Sequence, residues 1–207
     1  MKYTVIAISR TLGAGGEDLG EALARELGFR YVDAEIIQKA SEAAGVSSDT
    51  LGKVEARKGL IGRILENMSR ANTGGLYGAA EIPMIVPSEE PHWEQLIVDV
   101  IKETAAEGNV VIVAHGASIP LAGHAGLLRV MVTAPEETRT ARLAKNESIV
   151  GVEAAKKVAD SDRARADYFR RFYKLDHETP ENYDLTFNTE VVGIDQARAA
   201  ILAIVRP

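Results

Sequence analysis

Short apolar, β-branched runs recur along the chain, each separated from the next by a stretch with helical periodicity. They read Y-T-V-I-A-I at 3–8, R-Y-V at 30–32, N-V-V-I-V-A at 109–114, L-R-V-M-V-T at 128–133 and D-L-T-F at 184–187. The run at 109–114 is almost continuously apolar, which predicts a central strand covered on both faces. Strands that alternate with helices predict a parallel sheet with right-handed crossovers. The expected class is a three-layer α/β fold.

The helical stretches carry their own boundary signals. Across 19–27, Leu19, Ala22, Leu23 and Leu27 share one face, and Gly28 supplies a stop. Across 91–107, Leu96, Ile97, Val100, Ile101 and Ala105 repeat the pattern, and Gly108 ends it. Another helix is expected to start at Pro135, with Glu136 and Glu137 in its first turn, where acids suit the helix dipole. The last spans 195–205 with Ala197, Ala200, Ile201 and Ile204 inward. Between 47 and 90 the pattern loosens around a helix predicted at 60–71. A long connection between the second and third strands is placed to cover a ligand.

Composition narrows the field. At 207 residues and 46% hydrophobic, the chain suits one domain over 1–207, with 47–90 as an insertion and 146–180 as a lid-like segment. The absence of cysteine excludes disulfides, thiolate zinc sites and cysteine nucleophiles. A net charge of −6 argues against nucleic acid as the main partner, yet a local basic pocket can still hold a small phosphorylated ligand. No apolar run approaches the roughly 20 residues of a membrane span, and the N-terminus lacks a signal-peptide pattern. A cytoplasmic location is therefore expected.

The stretch at 9–20, S-R-T-L-G-A-G-G-E-D-L-G, lies between the first strand and the first helix. Gly13, Gly15 and Gly16 let backbone N–H groups converge on an anion at the positive end of that helix. A Walker-type loop, G-x-x-x-x-G-K-[ST], adds a lysine for the outer phosphates and a hydroxyl for magnesium. Aligning on Gly15 puts Arg10 at the first glycine, Gly16 at the lysine and Glu17 next to it. Asp18 falls where nucleoside-monophosphate kinases commonly place that hydroxyl. Two carboxylates repel a phosphate unless a metal lies between them. The plainer account is that Glu17 and Asp18 only complement the helix dipole. A dinucleotide fingerprint is a third reading: Gly13-x-Gly15 opens one, and Asp33 stands about 20 residues on, where a ribose-binding acid belongs. Its third glycine would be Asp18, which makes it the weaker reading.

Across 152–173, Ala155, Val158, Asp162, Arg165, Phe169 and Phe172 share one stripe at about 100° per residue. Asp162 and Arg165 are polar intruders on that inward face. They form either a self-neutralising i,i+3 pair or a charged wall pointing into a cleft. Arg163 and Arg170 lie on a neighbouring face, with Arg171 close by.

The order of these pieces resembles the cytidylate kinase-like family, a branch of the P-loop nucleoside-monophosphate kinases, nearly end to end. The carrying motifs are I-S-R-T-L-G-A-G-G-E-D-L-G-E-A-L-A-R-E-L-G at 8–28, Y-V-D at 31–33 before Ile36-Ile37, and V-V-I-V-A-H-G-A at 110–117. A-P-E-E-T-R-T-A-R-L at 134–143, D-S-D-R-A-R-A-D-Y-F at 160–169 and Y-D-L-T-F-N-T at 183–189 complete the series. The family often lacks the loop lysine as well.

The resemblance implies a sheet of about five parallel strands in nucleoside-monophosphate-kinase order, with ligands at the C-terminal strand ends. It implies ATP with magnesium, the phosphates held by Gly13, Ala14, Gly15, Gly16, Glu17 and Asp18, and Arg139 and Arg142 against the donor nucleotide. Arg163 and Arg165 become lid arginines on the transferring group, while Asp33, His115, Arg170 and the 47–90 region face the acceptor. No metal ligand is assigned beyond Asp18 as a candidate for magnesium. His115 departs from the family, which tends to have arginine there; an ordinary strand-end residue is an equal reading. Arg10 could turn back to replace the missing lysine.

The leading expectation is thus an ATP-dependent nucleotide kinase-like phosphotransferase. CMP, dCMP or another small phosphorylated or hydroxyl substrate is the acceptor. A non-catalytic nucleotide-binding or regulatory protein is the alternative, and a nicotinamide-dependent enzyme comes third. The expected partner is a small-molecule nucleotide, with no nucleic acid and no membrane; a homodimer is left open.

Overall fold

Val110–Val113 (β3) is buried along its whole length, as a strand covered on both faces must be. In the computed structural model, which describes residues 2–33, 36, 39–40, 93–113 and 116–206, it lies inside a five-stranded sheet. The other strands are Val5–Arg10 (β1), Arg30–Val32 (β2), Leu127–Thr133 (β4) and Leu185–Asn188 (β5). Their spatial order is β2-β3-β1-β4-β5, and every pairing is parallel. β1 is central, with Ile8 opposite Val113 on one side and Val130 on the other. Its C-terminal end therefore opens where the two flanking crossovers diverge, which is where open α/β sheets bind ligands.

The period-2 alternation of β1 splits the core into two layers. Val5 and Ala7 face a cluster with Ile97 and Ile101 of Trp93–Ala106 (α2) and with Tyr168 and Phe169 of Gly151–Tyr173 (α4). Ile6 and Ile8 face Leu19, Leu23 and Leu27 of Gly16–Leu27 (α1), and Ala197, Ile201 and Val205 of Ile194–Val205 (α5). Glu136–Glu147 (α3) packs its Leu143 against Ala154 and Val158 near the start of α4. No helix among the described residues is long and apolar enough to cross a membrane.

The predicted strands all form, shifted by a residue or two at their ends. Three helix faces differ from expectation. In α5 the inward stripe is Ala197, Ile201 and Val205, so Ala200 and Ile204 point outward. In α1, Ala24 is buried where Ala22 was expected, and in α4, Ala154 is buried in place of Ala155. α1 also begins at Gly16, three residues earlier than its apolar stripe, because its first turn is polar and faces the loop. The helix predicted at 60–71, the whole 47–90 segment and His115 lie outside the described residues.

Candidate active site

β1 ends at Arg10, and the chain then turns through Thr11 to Gly15 into α1. Ala14 N–H donates to the Thr11 carbonyl, and Thr11 N–H donates to the Val132 carbonyl, so the turn is tied to β4. Gly15, the N-cap of α1, sits in the left-handed region at φ 83° and brings no side chain to cap the first turn. The first N–H groups of α1, at the positive end of the helix dipole, thus have no cap from that residue, a geometry suited to an anion.

Gly16 stands where a Walker-type loop has its lysine, and Arg10 fills the space beside it. A Cβ on Gly16 would lie 2.6 Å from the Arg10 Cβ, and close to its Cγ and Cδ as well. The arginine stem therefore runs across the bare glycine backbone. Its Nε donates to Glu17 Oε1 at 2.5 Å, and its Nη2 lies 3.9 Å from Asp33 Oδ2, at the end of β2. Of the five N–H donors of a guanidinium, only Nε–H has a hydrogen-bond acceptor among the described residues, although the Arg10 side chain is 16% exposed.

Asp33 is the counterpart of that open fork. Its Oδ1 is buried without a hydrogen-bond partner among the described residues. Burial pushes the Asp33 carboxyl up to about 6; Arg10 pulls it down and Glu17 pushes it up. The Tyr31 phenol is raised too, by burial first and then by Asp33, Glu17 and Glu21. Burial acts against the Arg10 charge, but Glu17 and Asp33 outweigh it and the guanidinium stays protonated.

The other arginines are differently placed. Arg165 sends Nε and Nη2 to the two carboxylate oxygens of Glu178, both at 2.7 Å. Its Nη1 donates to the Arg10 carbonyl at 2.9 Å, its Nη2 donates to Ser9 Oγ at 2.8 Å, and its guanidinium stacks over Phe169. The Tyr183 hydroxyl donates to Glu178 as well. Arg139 makes a bidentate pair with Asp162 at 3.0 and 2.7 Å, and donates to the Ala134 and Leu12 carbonyls. The backbone of Arg139 also presses on the loop, since a Cβ on Gly13 would lie 2.7 Å from its carbonyl oxygen. Arg142 grips Thr189, whose hydroxyl donates to the Ala14 carbonyl at 2.8 Å.

Asp162 and Arg165 are therefore not paired with each other: the first holds Arg139 and the second holds Glu178. Arg163 and Arg170 sit on the outer face of α4, paired with Asp160 and Asp167 and 72% and 55% exposed. They are not brought to the loop. Asp18 is exposed in the first turn of α1. A cavity of about 230 Å³ lies between α4 and the loop, lined by Thr11, Asp162, Arg165, Phe169, His177 and Glu178 among others. Glu178, Tyr183 and Thr189 were not singled out from sequence. Thr189 meets Ala14 and Arg142 from far along the chain, and Glu178 meets Arg165 and Tyr183 across an irregular segment, so no local periodicity announces them.

The model of the cytidylate kinase-like family matches residues 5–191 of this sequence. The chain belongs to the cytidylate kinase-like family. Among its relatives is the cytidylate kinase of Ignicoccus hospitalis, 28% identical over 191 residues, covering 92% of each chain. The cytidylate kinase of Methanopyrus kandleri is 25% identical over 114 residues, or 51% of this chain and 59% of the relative. Among solved structures, an uncharacterized protein from Eubacterium ventriosum superposes with a TM-score of 0.65 at 16% identity, covering 97% of both chains. A shikimate kinase from Bacteroides thetaiotaomicron gives 0.53 at 15% identity over 99% of both. The two structures establish the P-loop kinase-like fold, and the family match extends that likeness over the loop, α3 and α4.

Proposed function

We propose that this chain is an ATP-dependent nucleotide kinase-like phosphotransferase in which Arg10 supplies the cation that a loop lysine otherwise brings. The observation that carries this reading is the Arg10 side chain itself. Its stem covers Gly16, at the lysine position, and its side chain is largely buried, with most of its donors unmatched among the described residues. Phosphoryl transfer asks for positive charge and fixed geometry around an in-line displacement, with little covalent chemistry. The loop N–H groups hold the donor phosphates, and Arg10 spans from them toward Asp33 on the acceptor side. Arg165, Arg139 and Arg142 fix the loop from behind, through the Arg10, Leu12 and Ala14 carbonyls. Arg163 and Arg170 reach a ligand only if α4 presents its outer face to one.

Magnesium, if bound with ATP, would supply positive charge to the phosphate oxygens. It needs only one or two carboxylates beside those oxygens, and the exposed Asp18 suits that demand. CMP is the acceptor suggested by the names of the curated relatives. The test is incubation with ATP, magnesium and a panel of acceptors headed by CMP and dCMP, followed by phosphorus NMR. A new phosphoanhydride or phosphoester resonance with matching ADP supports the proposal. ATP binding without transfer to any acceptor supports a non-catalytic nucleotide-binding protein instead, a reading favoured by the Glu17 carboxylate already lodged on Arg10.

A further inference from the structure

The side-on edge of a guanidinium, Nε with Nη2, is the edge that takes a planar or tetrahedral oxyanion through two parallel bonds. In Arg10 that edge faces two carboxylates of the protein: Glu17 at Nε and Asp33 near Nη2. We propose that Glu17 is an internal competitor for the phosphate, occupying the Nε of Arg10 until a polyphosphate in the glycine loop displaces it. The inference rests on the reading of Arg10 as a phosphate-binding residue.

The two carboxylates differ in what they can do. Glu17 lies in the first turn of α1, and its side chain is 38% exposed, so it can turn outward into water at small cost. Asp33 follows β2 directly, is 23% exposed and has one oxygen wholly enclosed, so it stays. Glu17 also shares its helix turn with the N–H groups that would hold the anion, which places two negative groups over one positive end. Around Asp33 stand Arg10 from β1, Glu17 from α1 and Tyr31 from β2, with Glu21 of α1 facing Tyr31. Two carboxylates thus share one arginine, and displacement of Glu17 leaves Arg10 between Asp33 and the ligand.

A binding measurement on the full chain tests this without an acceptor. Inorganic pyrophosphate and MgATP are titrated calorimetrically into the wild type, Glu17→Gln, Arg10→Ala and the double variant. Removing the Glu17 charge is expected to tighten pyrophosphate about tenfold, since a charged competitor at hydrogen-bond range is lost. Glu17→Ser, a shorter and uncharged side chain at the same position, should behave the same way. In the Arg10→Ala background the Glu17 substitution should change affinity less than about twofold, because its target is gone. Unchanged or weaker binding by both Glu17 variants overturns the proposal. Equal tightening in the Arg10→Ala background overturns it as well, by showing plain charge relief with no part for Arg10. Unchanged binding by Arg10→Ala alone strikes the underlying reading of Arg10.

Discussion

The arginines at the C-terminal edge of this sheet fall into two regions. On the α3–α4 side, Arg139 and Arg165 are each held by several partners, with their donors ending on carboxylates, loop carbonyls and the Ser9 hydroxyl, and Arg142 donates twice to Thr189. On the β2 side, Arg10 has one hydrogen bond among the described residues and faces two carboxylates, so most of its fork is open to anything beyond them. A buried cation with most of its donors engaged is a structural tie, because ligand binding would have to break what already holds it. A buried cation left short of partners costs stability and waits for an anion. On the proposed reading, that difference divides the frame of the site from its working group.

The contrast breaks first if the saturated side is not structural. Glu178→Gln leaves Arg165 with a neutral partner in a mostly enclosed place. Losing one member of such a pair should cost about 2–3 kcal/mol of stability, measured by urea unfolding. A cost near zero would make Arg165 as free as Arg10.

The open side should behave in the opposite sense. Asp33 is raised from its ordinary value of 3.8 to about 6, so the native state binds the proton more tightly than the unfolded chain. Below the ordinary value both states are protonated and the ionised carboxylate imposes no penalty. Stability then falls as pH rises toward about 6 and stays reduced above it. Asp33→Asn is therefore expected to stabilise the protein by about 1–3 kcal/mol at pH 8, with little effect near pH 4, while lowering any phosphotransfer. Thermal unfolding at the two pH values reads the difference. Destabilisation at pH 8 would show that Asp33 is a structural partner of Arg10.

Smaller effects sharpen the comparison. Thr189→Val removes the donor to the Ala14 carbonyl and an acceptor for Arg142, and should cost about 1–2 kcal/mol in the same unfolding assay. Arg163→Ala and Arg170→Ala, on the exposed face of α4, should each shift stability by less than about 0.5 kcal/mol. They should also leave MgATP affinity unchanged.

Much of this frame was legible in the residues. The strand at 109–114 showed its central place through continuous apolarity, and Gly28 and Gly108 marked where α1 and α2 stop. The glycine loop was visible because turn chemistry is local. Pairings across the fold were not. Asp162 and Arg165 stood three apart on one helix, which suggested a pair, yet each reaches a residue on another element. Glu178 sits in an irregular segment with no periodicity, so nothing in its surroundings marks it as the partner of Arg165. The role of Gly16 as a bed for Arg10 depends on how β1 and α1 meet, which only the assembled sheet fixes.

The central claim is that Arg10 stands in for the loop lysine, and MgATP titration of Arg10→Ala beside its thermal unfolding tests it most directly. Loss of a charge-assisted grip on the phosphates predicts at least a tenfold weaker affinity, about 1.4 kcal/mol or more, with an unfolding midpoint no lower than that of the wild type. An unchanged MgATP affinity, or a fall in affinity matched by collapse of the fold, would contradict it.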